Sequence, residues 1–502
     1  MDAVRVKENR TSSYRSVFKS TSLFGGVQVF NIIITIIRGK FVAVLLGPAG
    51  MGINGLLMTT IQMLQNITNL GLPQSAVRDI ASSSNDPGKI ALTYTVFRRW
   101  IWFTALLGGA LTFFGASFLS EYVFQNDSYT WGFRILSLTF IFGAVSGRIY
   151  TLLRGLRRLK ALASANILGS LAGLLVAIPL FYFFGVRGIV PAILATAIAN
   201  FGIAVFFRKR EVKIEPTQLD YRQTFFQGLD MVKLGISLSA SVLMTSGISF
   251  VLLTYINRQG SEADVGLYNA GLTITNTYVG LVFTALATDY FPRLAEKINL
   301  KTEEWKQVVH QQLELMLLIL APLLAVLILT APIFIQLLLS EQFLSVIPYL
   351  LWAVVGVFLK APVWVLGYIF IASGNNRVFL VTEICAALIQ LALNILFYKH
   401  FGLEGLGVAL GCAYLVSFCT LLVVTKRIYD FSFNSTQWKI VFMLFVLILA
   451  SALSAKYLDY PWAYLSGSFF LILVGWFSLR KLNQLMDMRG AIQNLVARFR
   501  KP

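Results

Sequence analysis

Residues 315–339 read LMLLILAPLLAVLILTAPIFIQLLL, and residues 346–372 read VIPYLLWAVVGVFLKAPVWVLGYIFIA. The first stretch contains no charged residue, and the second contains only Lys360. An α-helix rises 1.5 Å per residue, so about 20 apolar residues cross the ~30 Å hydrocarbon core of a bilayer. Each stretch therefore predicts a transmembrane helix.

The composition extends this prediction to the whole chain. Of the 502 residues, 57% are apolar and 13% are charged, and the mean hydropathy is +0.72, whereas soluble domains carry roughly 25% charged residues. We therefore predict an all-α polytopic membrane protein of about fourteen transmembrane helices. They lie at approximately Leu23–Leu46, Met51–Leu72, Ile101–Phe118, Trp131–Leu153, Leu162–Phe184, Ile189–Phe207, Leu234–Tyr255, Gly266–Leu286, Leu315–Leu339, Val346–Ala372, Val378–Phe397, Leu406–Val424, Trp438–Leu453 and Trp462–Phe477.

The positive charge is distributed unevenly along this series of helices. The net charge is +19, which in a soluble protein would indicate nucleic-acid binding. With the N-terminus inside, about 33 of the 42 Lys and Arg residues fall in cytoplasmic segments, as the positive-inside rule requires. The sequence thus predicts a bacterial inner-membrane protein with both termini cytoplasmic and no nucleic-acid partner.

Short motifs recur about 217 positions apart and predict an internal repeat. The matched pairs are Phe184–Gly188 with Phe401–Gly405, Ser120-Glu121 with Ser340-Glu341, Gly155 with Gly374, and Gly52 with Gly266. An even number of helices per copy gives both copies the same orientation, which is the parallel-repeat plan of many transporters. We predict an N-lobe of six helices (1–210), a cytoplasmic linker (211–226), a C-lobe of six helices (227–427), two further helices (428–480) and a cytoplasmic amphipathic tail (481–502).

The sequence argues against several kinds of chemistry. No Walker A motif occurs, so we predict a secondary-type transporter rather than an ATPase or another enzyme. The three cysteines lie in predicted apolar helices without metal-ligand spacing, and the two histidines fall at opposite membrane faces, so no metal or cofactor is expected. A proton gradient, Na⁺ or the membrane potential remain possible energy sources.

Four basic residues fall inside predicted helices. A charge at mid-membrane costs roughly 2.5–3.5 kcal/mol, so such residues usually face a cavity and serve function. Lys360 lies too deep for its stem to reach the interface, which predicts that it lines a cavity and binds an anion. Arg38 is a further candidate, and so is Lys40, which lies closer to the outer face. Arg148 is explained equally well by anchoring at the cytoplasmic face.

Weaker candidates are polar or acidic. Asn31, Gln65, Gln390 and Asn394 are secondary candidates for substrate contact, although amide side chains commonly join membrane helices. Glu314 and Glu383 are predicted near the cytoplasmic face and are weak candidates for the coupling carboxylate, since a solvated interfacial acid explains them as well.

Two segments resemble a known family. Residues 38–40 (RGK) with 46–52 (LGPAGMG), and residues 358–362 (FLKAP) with 366–368 (LGY), are similar to the signatures of Wzx-type O-antigen translocases. These polysaccharide flippases belong to the multidrug/oligosaccharidyl-lipid/polysaccharide exporter superfamily. In the resemblance, Lys360 matches the helix-ten lysine of the translocases, and Arg38 matches a first-helix cavity arginine of the related lipid II flippases.

The resemblance implies a function that the residues alone do not specify. It implies alternating access around a cationic cavity and a substrate of undecaprenyl pyrophosphate carrying an O-antigen-type repeat unit. Membrane lipids would be partners, and the resemblance offers a polymerase and a chain-length regulator of the same pathway as further candidates. The alternatives are a cation-coupled drug exporter of the same superfamily, a flippase for a peptidoglycan precursor, a membrane-embedded polysaccharide polymerase or ligase, and a structural assembly protein.

Overall fold

The computed structural model describes residues 2–83, 86–211, 214, 217–300, 302–459 and 461–486, without the side chains of residues 2–29, 31, 278 and 486. The described residues form helices and no strand, which confirms the predicted all-α class. The helices are α1 (Asp2–Thr68), α2 (Leu72–Ser82), α3 (Pro87–Phe114), α4 (Ala116–Phe124), α5 (Thr130–Leu136), α6 (Leu138–Gly155), α7 (Leu159–Phe184), α8 (Ile189–Glu211), α9 (Tyr221–Gln259), α10 (Glu262–Leu272), α11 (Gly280–Asn299), α12 (Glu304–Leu338), α13 (Ile347–Ala372), α14 (Asn376–Tyr429), α15 (Ser435–Tyr457) and α16 (Trp462–Met486).

The chain divides into two compact units, Met1–Gly266 and Leu267–Pro502. In the first unit α7 packs along α8, and α6 packs against α2, α3 and α8. Helix α9 packs against α1 and α2 and so belongs to this unit, although the predicted lobe boundary preceded it. The lobe limits read from the sequence remain predictions, and most of the predicted tail, 487–502, lies outside the described residues.

In the second unit α13 is the central helix, and it packs most extensively against α14. Small residues permit this close approach. A Cβ added to Gly356 would lie 2.9 Å from the backbone nitrogen of Gly411, and one added to Gly407 would lie 2.4 Å from the carbonyl oxygen of Tyr349. Helix α12 packs against α13, α15 and α16 and is buried along much of its length.

Ten of the described helices are long and apolar enough to cross a membrane, or eleven if the bent pair α3–α4 is one span. Three of these ten helical stretches contain a glycine at positive φ: Gly47 in Ile32–Thr68, Gly185 in Leu159–Glu211 and Gly402 in Asn376–Tyr429. The second of them joins α7 and α8. A continuous 53-residue helix would extend for about 80 Å, far more than one bilayer crossing. Fourteen spans result if each broken helix counts twice and the bent pair once. The molecule is an integral membrane protein, and the number fourteen remains a prediction.

The hairpins at Gly185 and Gly402 have the same backbone geometry. Their φ/ψ angles are 53°/−133° and 59°/−143°, values that favour glycine because it lacks a Cβ. Three residues later, a Cβ at Gly188 or at Gly405 would lie 2.2 Å from the carbonyl oxygen of the residue eight positions before it. This pair of motifs was correctly matched by sequence.

A second pair of turns is also equivalent, but the sequence aligned it wrongly. The backbone N–H of Arg158 and that of Asn375 each donate a 2.9 Å hydrogen bond to the carbonyl of the residue five positions earlier. Arg157, between α6 and α7, has a positive φ in the first turn, and Gly374, between α13 and α14, has a positive φ in the second. Gly374 is therefore equivalent to Arg157, and the predicted match with Gly155 was two residues off.

The other two matched pairs have different outcomes. A Cβ on Gly52 would lie 1.8 Å from the carbonyl oxygen four residues before Gly266, and one on Gly266 would lie 1.9 Å from the carbonyl oxygen four residues before Gly52. This reciprocity supports treating them as equivalent positions. Ser120, by contrast, lies inside α4, whereas Ser340 is extended and precedes a short 3₁₀ turn, so their sequence match does not reflect equivalent structure.

Several helices begin well before their apolar stretch, because polar caps rather than hydropathy set the start. Asp86 caps α3, with its carboxylate accepting from the backbone N–H of Lys89 at 3.1 Å. Helix α15 begins with a capping box between Asn434 and Gln437. The start of α3 at Pro87, rather than near Ile101 as predicted, places a further pair of arginines inside a helix.

Candidate functional site

Lys360 lies near the middle of α13 and lines a cavity of about 440 Å³ within the second unit. The cavity lies between α13 and α14. Its lining also contains Trp364 and Tyr368 of α13, and Glu383, Gln390 and Tyr414 of α14. The side chain of Lys360 is half-buried. We call this site the lysine cavity.

Aromatic rings surround the ammonium group of Lys360. Its Nζ lies 5.3 Å from the ring centroid of Phe283 and 5.9 Å from that of Tyr414. Trp364 stands next to Phe283, with ring centroids 5.8 Å apart. Cation–π attraction holds an ammonium group at such faces without neutralising its charge, so Lys360 remains able to bind an anion.

The lysine cavity also contains an acid, Glu383, which lies seven residues after the start of α14. Glu383 lines the same cavity as Lys360, and the two charges interact. No ion pair within 4.0 Å joins them among the described residues. This cavity therefore holds one positive and one negative side chain.

The remaining candidates of the second unit fall into two groups. Gln390 lines the lysine cavity, two turns along α14 from Glu383. Asn394 is buried but is not part of the cavity lining. Glu314 accepts a 2.9 Å hydrogen bond from Nε2 of Gln437 in the capping box of α15. Its contact joins two helices, which favours a structural role over ion coupling.

The first-helix candidates lie in the first unit. Arg38 and Lys40 of α1 are half-buried, and two residues of an α-helix are separated by about 200°, so they point to different sides. Gln65 is half-buried, with its Nε2 3.6 Å from the Cβ position of Gly143 in α6, a helix–helix contact. The side chain of Asn31 lies outside the described residues.

Arg148 lines a second and larger cavity, of about 810 Å³, within the first unit. The lining includes three further arginines that the sequence did not single out, Arg98 and Arg99 of α3 and Arg208 at the end of α8. The signal available in the sequence was the Asp86-Pro87 helix start, which puts Arg98 and Arg99 eleven or twelve residues inside α3. We call this site the arginine cavity.

Hydrogen bonds fix one wall of the arginine cavity. A terminal nitrogen of Arg99 donates to Oγ1 of Thr224 at 2.6 Å and to the carbonyl oxygen of Leu219 at 3.0 Å. The indole N–H of Trp100 donates to the carbonyl oxygen of Thr224 at 3.1 Å, and the Arg99 guanidinium lies 5.0 Å from the ring centroid of Tyr221. Arg99 and Trp100 thus fasten the start of α9 to α3.

Comparison with known proteins identifies relatives in sequence and in structure. The chain is 24% identical, over 352 residues, to the lipid III flippase of Escherichia coli strain K12, covering 69% of this chain and 83% of that protein. Among solved structures, the lipid II flippase MurJ in an inward closed conformation superposes with a TM-score of 0.67 at 14% identity, covering 93% of this chain and 99% of that one.

An inward-facing multidrug resistance MATE family transporter of the MOP superfamily superposes with a TM-score of 0.66 at 18% identity, covering 80% of this chain and 96% of that one. These two likenesses establish a shared fold. The model of a family described as polysaccharide biosynthesis protein matches residues 41–348, which is more than half of the chain. This chain therefore belongs to the family of polysaccharide biosynthesis proteins.

Proposed function

We propose that this protein is a flippase that carries a lipid-linked oligosaccharide from the inner to the outer leaflet of the bacterial inner membrane. The substrate class is undecaprenyl pyrophosphate bearing an O-antigen-type repeat unit. The protein works by alternating access and hydrolyses no nucleotide. Family membership and the lipid III flippase relative support the substrate class.

The observation that carries the proposal is the half-buried ammonium of Lys360, which lies on the apolar helix α13 and lines a cavity of about 440 Å³. A charge kept at this depth costs several kcal/mol and is typical of a substrate pathway. A pyrophosphate diester offers the negative charge that this ammonium can bind. The neighbouring Trp364 and Tyr368 present ring faces, and Gln390 an amide, to the sugars that follow.

Arg38 supplies a second positive charge for the same head group in this proposal. It lies half-buried in α1, within Ile32–Thr68, a stretch that is apolar enough to span the membrane. Lys40 is a weaker candidate because it points to another side of the helix. Neither residue needs to hold the substrate at the same moment as Lys360, since a transported head group meets successive contacts.

A strain lacking the gene tests the proposal. We expect loss of surface polysaccharide and accumulation of complete lipid-linked repeat units in the inner leaflet. Wild-type protein should restore the surface polymer, and Lys360→Ala or Arg38→Ala should not, at equal protein level. Lys439→Ala is the matched control, because Lys439 is exposed near the start of α15. Single repeats capped on surface lipid without chain growth would instead identify a polymerase and overturn the proposal.

A cation-coupled drug exporter is the second candidate, and one observation favours it. Glu383 in the lysine cavity is an acid inside a membrane helix, as binding of a cationic substrate or coupling ion requires. Resistance to cationic drugs that rises with expression of this protein and is lost in Glu383→Gln, with unchanged surface polysaccharide, would establish this alternative.

A further inference from the structure

The arginine cavity is lined by α3, by the last turns of α6 and α8, and by the start of α9, all in the first unit. Arg98 and Arg99 lie eleven and twelve residues after the start of α3, directly before its predicted apolar stretch at Ile101. Arg148 lies two turns before the end of α6, and Arg208 lies in the last turn of α8. Helix α9 begins beside them. The predicted orientation puts this end of the helices at the cytoplasmic surface, where Lys and Arg concentrate.

Arg148 is the most deeply buried charge of this cavity. Its side chain is 6% exposed, and its Nε has no hydrogen-bond partner among the described residues. Its guanidinium carbon lies 5.9 Å from the ring centroid of Tyr94. A buried, unpaired donor on a charged group is costly, so the bare cavity leaves a strong anion donor unsatisfied.

The other arginines of the cavity add to this uncompensated positive charge. Arg98 and Arg208 are close enough to repel Arg148 electrostatically. Among the described lining residues no acid is present to balance them. Guanidinium groups are planar and bind phosphate oxygens through paired N–H donors. A ligand with two or more negative charges on phosphate oxygens would satisfy Arg148 and relieve the repulsion.

The rim of the cavity favours a phosphate that is attached to a lipid. Trp102 and Phe103 of α3 belong to the lining and are 38% and 58% exposed on the membrane-spanning part of the protein. Phe225 of α9, also in the lining, is 52% exposed. A lipid whose head group enters between the arginines would lay its hydrocarbon against these apolar side chains.

We propose that the arginine cavity is a binding site for the phosphate or pyrophosphate head group of a membrane lipid, separate from the lysine cavity. The site faces the predicted cytoplasmic leaflet, where a lipid-linked substrate would be loaded before transport. The phosphate chemistry stands on Arg98, Arg148 and Arg208 alone. Its identification as a loading site rests on the proposed function.

Lipid retention measured by native mass spectrometry on the purified full-length protein tests this site. The probes are undecaprenyl pyrophosphate, cardiolipin, phosphatidylcholine and inorganic pyrophosphate. We expect wild-type protein to retain one or both anionic lipids, and the double variant Arg98→Gln/Arg208→Gln to bind them at least tenfold more weakly. The control Lys209→Gln/Arg210→Gln removes two charges from the same region, at exposed positions outside the lining.

The outcomes separate the sources of the phosphate. Preference for undecaprenyl pyrophosphate, lost in the double variant, supports the loading site, and equal retention of cardiolipin supports a general anionic-lipid site. Retention that is unchanged in the double variant, or equally weakened in the control, overturns the proposal. Binding of inorganic pyrophosphate with no lipid retained overturns the lipid part.

Arg148→Gln is a second variant that should weaken lipid binding. Its thermal unfolding midpoint, compared with that of wild type, shows whether a loss of binding in this variant results from a loss of folding. A lysine-cavity variant separates this proposal from the transport function. Lys360→Met should lower transport by about 30-fold or more and leave lipid retention at the arginine cavity unchanged. Transport failure in wild-type protein would end the flippase proposal without affecting the binding result.

Discussion

The two cavities differ in how their charge is balanced. Each lies inside its own compact unit, and each is lined by membrane helices with aromatic side chains. The arginine cavity has four arginines and no acid among its described lining residues, whereas the lysine cavity contains both Lys360 and Glu383. A surplus of positive charge suits retention of a phosphate group, while a nearly balanced site suits binding followed by release. Transport needs both properties.

The largest effect should follow removal of the single positive charge of the lysine cavity. Lys360→Met keeps the length of the side chain and removes its charge. Losing one partner of a desolvated charge pair costs about 2–5 kcal/mol, which corresponds to a decrease of about 30-fold or more in transport. The measurement is transfer of a lipid-linked oligosaccharide across proteoliposomes at equal protein incorporation.

Two controls sharpen this measurement. Lys360→Arg retains the charge and should retain a substantial part of the transport rate, while Lys439→Met removes a charge from an exposed position and should retain all of it. Equal rates for Lys360→Met and wild type would show that the lysine cavity does not bind the transported head group.

Packing of the cavity walls should give the next largest effect. The lysine cavity lies between α13 and α14, where Gly407 approaches the carbonyl of Tyr349. A methyl group there would lie 2.4 Å from that oxygen, so Gly407→Ala should lower the free energy of unfolding by about 1–3 kcal/mol. Thermal unfolding in detergent measures this change.

Gly367→Ala is the control for the packing prediction. It adds the same methyl group to α13, at a position with no atom within 4 Å of the new Cβ. Alanine also favours helix more than glycine does by about 1 kcal/mol, so this variant should unfold at the wild-type temperature or above. Equal destabilisation by both variants would show that the α13–α14 contact is not the close approach described.

In the arginine cavity, hydrogen bonds from polar side chains should hold the wall helices together. Arg99→Gln removes the donors that hold Leu219 and Thr224 at the start of α9. Since hydrogen bonds to charged groups contribute about 1.5–3 kcal/mol each when fully formed, and this pair is only partly buried, we expect a loss of about 1–2 kcal/mol. Arg98 makes no such hydrogen bond to α9 among the described residues, so Arg98→Gln should unfold within about 0.5 kcal/mol of wild type.

The sequence predicted the helices of these cavities better than their contents. Hydropathy located the apolar part of nearly every span, because about 20 apolar residues have few alternatives to a membrane. It missed where helices begin, since an N-cap such as Asp86 lies outside the apolar stretch. That error placed Arg98 and Arg99 in a loop and concealed the arginine cavity. The match between Gly185 and Gly402 was detectable in the sequence because both positions have the same positive φ angle, which favours glycine.

The placement of Lys360 and Glu383 in one cavity was within reach of the sequence but was not predicted. The turn at Gly374 joins α13 to α14, with Lys360 fourteen residues before it and Glu383 nine residues after it. At 1.5 Å per residue these positions differ in depth by only about 8 Å, which two long side chains can bridge. What no periodicity could supply is the rotation of each helix about its axis, which decides that both residues face one cavity.

The smallest predicted effect comes from making the lysine cavity resemble the arginine cavity. Glu383→Gln keeps the shape of the side chain and leaves Lys360 as the charged group facing an arriving anion. Coupling energies between neighbouring charged groups are about 0.5–3 kcal/mol, so we expect roughly fivefold tighter retention of a lipid pyrophosphate, and slower turnover because release becomes harder. In Lys360→Met protein the same substitution should change retention little, because the ammonium that it unmasks is absent. A fivefold gain in both backgrounds would mean that Glu383 acts on the ligand directly, and that the balance of charge between these two residues does not control release.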